Sequence, residues 1–144
     1  MELKVISRSG VLPGYATDGA SGLDLRAYLD ESITLAPMER RLISTGIFIQ
    51  IPEGYEGQVR ARSGLAIEHG IGLVNSIGTI DSDYRGELKI PMINFGSEEF
   101  TVHNGDRVAQ LVIAAYERVE PVLVEELDDT ERGAGGFGHT GVKG

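Results

Sequence analysis

The chain has 144 residues, with 13 basic and 22 acidic side chains for a formal net charge of −9, and no cysteine. The length suits one domain, the missing thiols exclude disulfides and thiolate metal sites, and the acidic balance opposes a broad phosphate-neutralising surface. No apolar run has the length of a membrane-spanning helix and "MELKVISRSG" has no signal-peptide pattern, so the expectation is a cytoplasmic protein with neither nucleic acid nor membrane as partner.

The predicted elements, in chain order, are mostly strands. "LDLRAY" sets Leu23, Leu25 and Ala27 on one face against Asp24, Arg26 and Tyr28 on the other, the period-two pattern of a half-buried strand. "RLISTGIFIQI" is rich in β-branched residues until Pro52 and Gly54 interrupt it, and "YEGQVRA" alternates Tyr55, Gly57, Val59 and Ala61 against Glu56, Gln58 and Arg60. A brief helix is expected over "RSGLAIEHG", with Ser63 capping its start, Gly64 permitting close backbone approach and Gly70 ending it. Gly78 and Gly86 then bracket a predicted hairpin in "NSIGTIDSDYRGEL", and "ELKIPMINF", "RVAQLVIAAY" and "VLVEEL" supply three further strands. The resulting expectation is a single all-β domain with very little helix. From Glu117 to Arg132 the chain is acidic, and a glycine-rich end follows. That composition predicts an arm over 129–144, after a body over 1–128, gaining order against a partner or ligand.

Several residue groups carry chemistry. Asp81, Asp83, Tyr84 and Arg85 crowd one bend. Aspartates there either brace the turn or orient water and a hydrated divalent ion. Tyr84 is either a half-buried packing residue or a flat support for a nucleoside sugar. Arg62, the Ser63 hydroxyl and the following N–H groups form a candidate phosphate seat. Gln110 shares an alternate face with Val108 and Val112. Its amide either satisfies an internal backbone group or meets a ligand phosphate. His69, His103 and His139 lack metal-ligand spacing. At the end, "GAGGFG" within "RGAGGFGHTG" fits G-x-G-x-x-G, but no strand precedes it and no helix has room to follow, so the dinucleotide reading fails. Arg132 and an aromatic without apolar neighbours, Phe137, either close over a ligand or belong to an ordinary disordered tail.

Taken in order, "ASGLDLRA", "RSGLA", "GTIDSDYRGE", "GDRVAQLV" and "RGAGGFGHTG" span almost the whole chain, and together they closely resemble the five motifs of the trimeric dUTP pyrophosphatase (dUTPase) family. The resemblance implies a distorted jelly-roll or β-prism-like fold assembled as a homotrimer, with three active sites at subunit boundaries. It implies hydrolysis of dUTP to dUMP and pyrophosphate, limiting uracil in DNA and supplying dUMP for thymidylate synthesis. On this resemblance Asp81 positions and activates the water that attacks the α-phosphorus. Mg²⁺ is held mainly by the substrate phosphates, with Asp24 linked to it through water. Arg62, Ser63, Gly64 and Gln110 belong to the phosphate side and Arg132 to its outer end. Asn75 lies on the uracil side, Thr79 among the substrate-binding residues, Tyr84 against the deoxyribose, and Phe137 with Gly138 in the closing arm. Two positions depart from the usual motifs: Ala61 stands where proline is common, and His139 where serine is common. Two alternatives remain: a dCTP deaminase-like enzyme, recognised by ammonia released from dCTP, and a noncatalytic nucleotide-sensing or protein-binding β domain.

Overall fold

Apolar residues at every second position bury one face of the longer strands, and here two main sheets share those faces. The computed structural model describes residues 1–142. Its strands are β1 (Lys4–Ser7), β2 (Gly14–Tyr15), β3 (Leu23–Arg26), β4 (Ile33–Leu35), β5 (Arg40–Gln50) and β6 (Tyr55–Arg60), then β7 (Ile71–Leu73), β8 (Ile77–Ile80), β9 (Glu87–Asn94), β10 (Phe100–Val102) and β11 (Arg107–Ala115). One sheet has the order β1-β5-β9-β7, another β2-β3-β11-β6-β8, and β10 pairs with β4 in a two-stranded ribbon. Every pairing is antiparallel. The all-β, jelly-roll-like expectation therefore holds. No helix among the described residues is long and apolar enough to cross a membrane.

The core lies between the sheets, filled by Leu25, Ile43, Leu88, Ile90, Met92 and Leu111, all essentially inaccessible. Ile43, Thr45, Ile47 and Ile49 face inward along β5 although its pairing is interrupted. Four residue steps on β5, Ser44 to Phe48, span two on β9, Lys89 to Glu87. Two extra residues preserve side-chain parity, so the bulge adds backbone without turning the apolar face outward. A second bulge, between Arg107 and Ala109, buries Val108 and Ala109 together. It breaks the expected phase in which Val108 shared a face with Gln110.

Three expectations about elements need correction. The helix α1 spans Ser63–His69 with Arg62 as its N-cap, in extended backbone and without a side-chain cap bond. Ser63 thus begins the helix instead of capping it. Gly70 does end it, at φ 70° with its N–H donating back into the helix, a left-handed geometry that glycine adopts without strain. The Gly78–Gly86 segment is no hairpin: β8 pairs with β6 and β9 pairs with β5 and β7, so residues 81–86 carry the chain from one sheet to the other. Finally, "VLVEEL" forms no strand, and Val122, Leu123 and Leu127 are exposed. Apolar alternation alone does not create a strand where no sheet edge is offered to it.

Candidate active site

The five-stranded sheet brings distant parts of the chain into one row. Across it, Asp24 of β3 stands opposite Gln110 of β11, which stands opposite Arg60 of β6, and Arg60 opposite Ile77 of β8. Directly opposed residues in antiparallel strands share a face, so Asp24, Gln110 and Arg60 point the same way. Gln110 donates from Nε2 to the Ala61 carbonyl oxygen at 3.0 Å. The amide therefore does satisfy an internal backbone group, and it braces the turn into α1. Gly22 makes room for it, since an added Cβ there would overlap the Gln110 amide oxygen.

Asp24 is an anion between two guanidinium groups. Arg62 Nε lies 3.8 Å from one carboxylate oxygen and Arg107 Nη1 3.3 Å from the other, with the Asp24 side chain 18% exposed. Arg62 Nη1 also donates to the Arg107 carbonyl oxygen at 3.2 Å. Arg107 thus ties the first and second motifs together, a role that its position in "GDRVAQLV" did not reveal. Beside this cluster, Ser63 and Gly64 are exposed at the start of α1, where first-turn N–H groups have no intrahelical acceptor. Nothing stands within 4 Å of where a Gly64 Cβ would lie, so approach from outside is unobstructed.

A second group lies at the far edge of the same sheet. Thr79, Asp81 and Tyr84 line a depression of ≈ 490 Å³ together with Arg8, Glu87 and Lys89. Asp81 is exposed, and its carbonyl accepts the Tyr84 N–H at 3.1 Å, closing the turn. Asp81 also borders a wider hollow with Asp83 and Arg85. Asn75, exposed in the 74–76 turn before β8, precedes this group along the chain. Tyr84 donates its hydroxyl to the Glu87 carbonyl oxygen at 3.0 Å. The Glu87 carboxylate in turn accepts the Gly46 N–H at 2.9 Å and lies 3.7 Å from Lys89 Nζ. Burial pushes this carboxyl up, but the Gly46 N–H, the Ser44 hydroxyl and the charges of Lys89 and Arg8 outweigh it and hold it below its ordinary value. Glu87 closes the quoted motif "GTIDSDYRGE", yet sequence reasoning gave it no role.

The third group is the tail. Arg132 Nε donates to the Gly135 carbonyl oxygen at 2.8 Å, and turns at Gly133, Gly135, His139 and Gly141 bond only within the segment. Phe137 is fully exposed, Arg132 and Gly138 line a hollow with His139, and an added Cβ at Gly135 would meet the His139 ring at 2.8 Å. Among the described residues beyond Tyr116, no hydrogen bond reaches the β body. The expected residues therefore fall into three groups on one chain: Asp24, Arg62, Ser63, Gly64 and Gln110; Asn75, Thr79, Asp81 and Tyr84; and Arg132, Phe137 and Gly138. Asp24 on β3 stands roughly 14 Å from the facing position on β8 across three strand spacings, whereas Arg62, Ser63 and Gly64 follow directly on β6, which pairs with β8.

Comparisons with known proteins agree on one family. The dUTPase family profile matches residues 8–141. The chain is 58% identical over 142 residues to the deoxyuridine 5'-triphosphate nucleotidohydrolase of Finegoldia magna, covering 98% of this chain and 99% of that protein. Among solved structures, a mutant dUTPase of Staphylococcus bacteriophage 80alpha with dUpNHpp superposes with a TM-score of 0.88 at 27% identity, covering 98% of this chain and 99% of the other. A mutant dUTPase from phage phi11 of S. aureus, described for its coordination of a structural Mg(II) ion, superposes with a TM-score of 0.79 at 25% identity over 90% of this chain and all of the other.

Proposed function

Because the chain belongs to the dUTPase family and is a dUTP diphosphatase, hydrolysing dUTP to dUMP and pyrophosphate, we propose that its active sites are assembled between the subunits of a homotrimer. The observation that supports this is the separation of its chemistry into three groups on one chain. A single nucleotide needs its base, sugar, phosphates and covering aromatic met at once, and neighbouring copies supply the missing groups. The body over 1–128 then presents two partial sites, and the arm over 129–144, whose last two residues lie outside the described ones, closes a third part over a neighbour. The cytoplasmic location expected from the sequence belongs to the same reading.

In this reading Asp81 orients the attacking water and accepts its proton. The water oxygen bonds to the α-phosphorus as the bond from that phosphorus to the bridging oxygen breaks, and pyrophosphate leaves. A carboxylate is a weak base at neutral pH, so fixing the water's direction contributes as much as proton affinity. Arg62, Ser63, the Gly64 backbone and Gln110 hold phosphate oxygens and offset charge growing on the leaving group. Asn75 and Thr79 meet the uracil edge, and the Tyr84 ring faces the deoxyribose and crowds out a 2′-hydroxyl. Arg132 reaches the outer phosphate, with Phe137 and Gly138 closing over the base. Ordering the tail costs conformational entropy, offset by contacts made only with nucleotide present.

The donor set suits a metal carried chiefly by substrate. Both Asp24 oxygens already face guanidinium groups, and no cluster of three or more His, Cys, Asp or Glu able to hold a metal occurs among the described residues. We assign Mg²⁺ as the cofactor, bound mainly by phosphate oxygens with Asp24 reaching it through water. When bound, it neutralises phosphate charge.

Complementation tests the assembly. Chains carrying Asp81→Ala and chains carrying Arg132→Ala are each expected to lose roughly 10²-fold or more in kcat, and hybrids of the two are expected to regain dUMP and pyrophosphate production. Hybrids verified by mass that stay inactive would overturn the shared site. Parallel incubation with dCTP separates the deaminase alternative, which releases ammonia.

A further inference from the structure

Glu87 joins two features of the fold, the β5 bulge and the Tyr84 ring. Its carboxylate Oε1 accepts the Gly46 N–H at 2.9 Å across from β9. Gly46 lies within the β5 bulge, where the ladder between Ser44 and Phe48 is interrupted, so the carboxylate stands in for a strand carbonyl. A buried N–H without an acceptor is costly, and Glu87 supplies that acceptor with a side chain only 11% exposed. On its other side, the Glu87 backbone carbonyl accepts the Tyr84 hydroxyl at 3.0 Å. The Tyr84 ring folds over Gly86, where an added Cβ would overlap it. Bulge, carboxylate, backbone and ring therefore form one linked unit.

We propose that Glu87 is a positioning residue for sugar discrimination: anchored on the Gly46 N–H, it fixes the backbone against which Tyr84 rests and so sets how closely that ring approaches the nucleotide's 2′ carbon. The inference rests on the reading of Tyr84 given above. Discrimination against an added hydroxyl by crowding depends on a wall that does not yield. A ring held through one hydrogen bond to a backbone segment is as rigid as that segment. Freeing the Glu87 side chain from the Gly46 N–H lets the Glu87 carbonyl and the ring bonded to it shift, and admits the ribonucleotide without touching Asp81.

The test compares kcat/KM for dUTP and for UTP, with melting temperatures, in Glu87→Ala, Glu87→Gln, Thr45→Val and Tyr84→Ala. Glu87→Ala is expected to lower the dUTP/UTP ratio about tenfold, the scale at which small misplacements register. Glu87→Gln keeps an acceptor for Gly46 and is expected to retain the ratio. Thr45 donates from the same bulge to the Leu88 carbonyl oxygen and not to the Glu87 carbonyl that accepts from Tyr84, so Thr45→Val is expected to lower the melting temperature and leave the ratio unchanged. A wild-type ratio in Glu87→Ala, alongside a lowered ratio in Tyr84→Ala, overturns the role of Glu87 and leaves Tyr84 at the sugar. An unchanged ratio in Tyr84→Ala overturns both. Equal losses in Glu87→Ala and Thr45→Val mean general loosening and likewise overturn the proposal. Should Glu87→Ala not fold, Glu87→Asp decides, because it withdraws the carboxylate by one methylene: a lowered ratio supports the proposal, and a wild-type ratio overturns it.

Discussion

The fold holds the carboxyls of Glu87 and Glu39 below their ordinary value. For Glu87, burial acts upward and is outweighed by the Gly46 N–H, Ser44, Lys89 and Arg8. For Glu39, the Ala36 N–H acts first, followed by the Arg41 side chain. A group whose folded value lies below its unfolded one binds fewer protons in the native state, so its stabilisation is present above the unfolded value of about 4.3 and is lost as pH falls through the folded one. Thermal melts between neutral pH and pH 3 are therefore expected to show the gap between the native chain and Glu87→Gln narrowing on acidification. Part of the acid loss remains in the variant because Glu39 still titrates, and a gap that widens would contradict the direction of the shift. At this scale the sequence was informative about identity and poor about partners. Asp24 and Arg62 could be named from their motifs, but their ion pair with Arg107 depends on strands from opposite ends of the chain.

The bulge in β5 does for the element what Glu87 does for the residue. Gly46 takes φ 65°, and a Cβ placed there would lie 2.9 Å from the Tyr28 ring and 3.2 Å from the Arg8 Cβ. Gly46→Ala thus meets both a backbone that L residues rarely adopt and a crowded site, and is expected to destabilise by more than about 1 kcal/mol. Urea denaturation measures the loss, and a midpoint equal to that of the native chain would count against it. Strands were legible wherever alternation was clean: Leu23–Arg26, Tyr55–Arg60 and Arg107–Ala115 all fall within their expected runs. The bulge was not, because "STGI" reads as ordinary strand until its partner is known. The misread hairpin has a related cause. Gly78 and Gly86 mark turns, but turn residues do not say which sheet receives the next strand.

For the whole molecule, the tail is the part least bound to the rest. Its hydrogen bonds beyond Tyr116 stay within itself among the described residues, and Val122, Leu123 and Leu127 find no cover on this chain. Ending the chain after Asp128 is therefore expected to leave the melting temperature nearly unchanged while kcat/KM for dUTP falls by roughly 10²-fold, the scale set by the phosphate contact and base cover proposed for the arm. A truncated chain with native turnover would remove the arm from the mechanism. The five motifs made this chemistry readable before any fold was known, since each keeps its residue types within a few positions. Their proposed convergence between copies came from the family resemblance alone, because it depends on surfaces that the residues of one chain do not describe.

The pairing of β3 with β11 has a further consequence for how the protein is made. Asp24 and Arg107 stand 83 residues apart in sequence, yet they meet in one sheet with Gln110 between Asp24 and Arg60. Closing so long a loop is slow and comes late. A nascent chain emerging from the ribosome cannot complete the row of Asp24, Gln110 and Arg60 until β11 has been synthesised and inserted between its two neighbours. Catalytic competence in this protein thus cannot precede the insertion of its last strand.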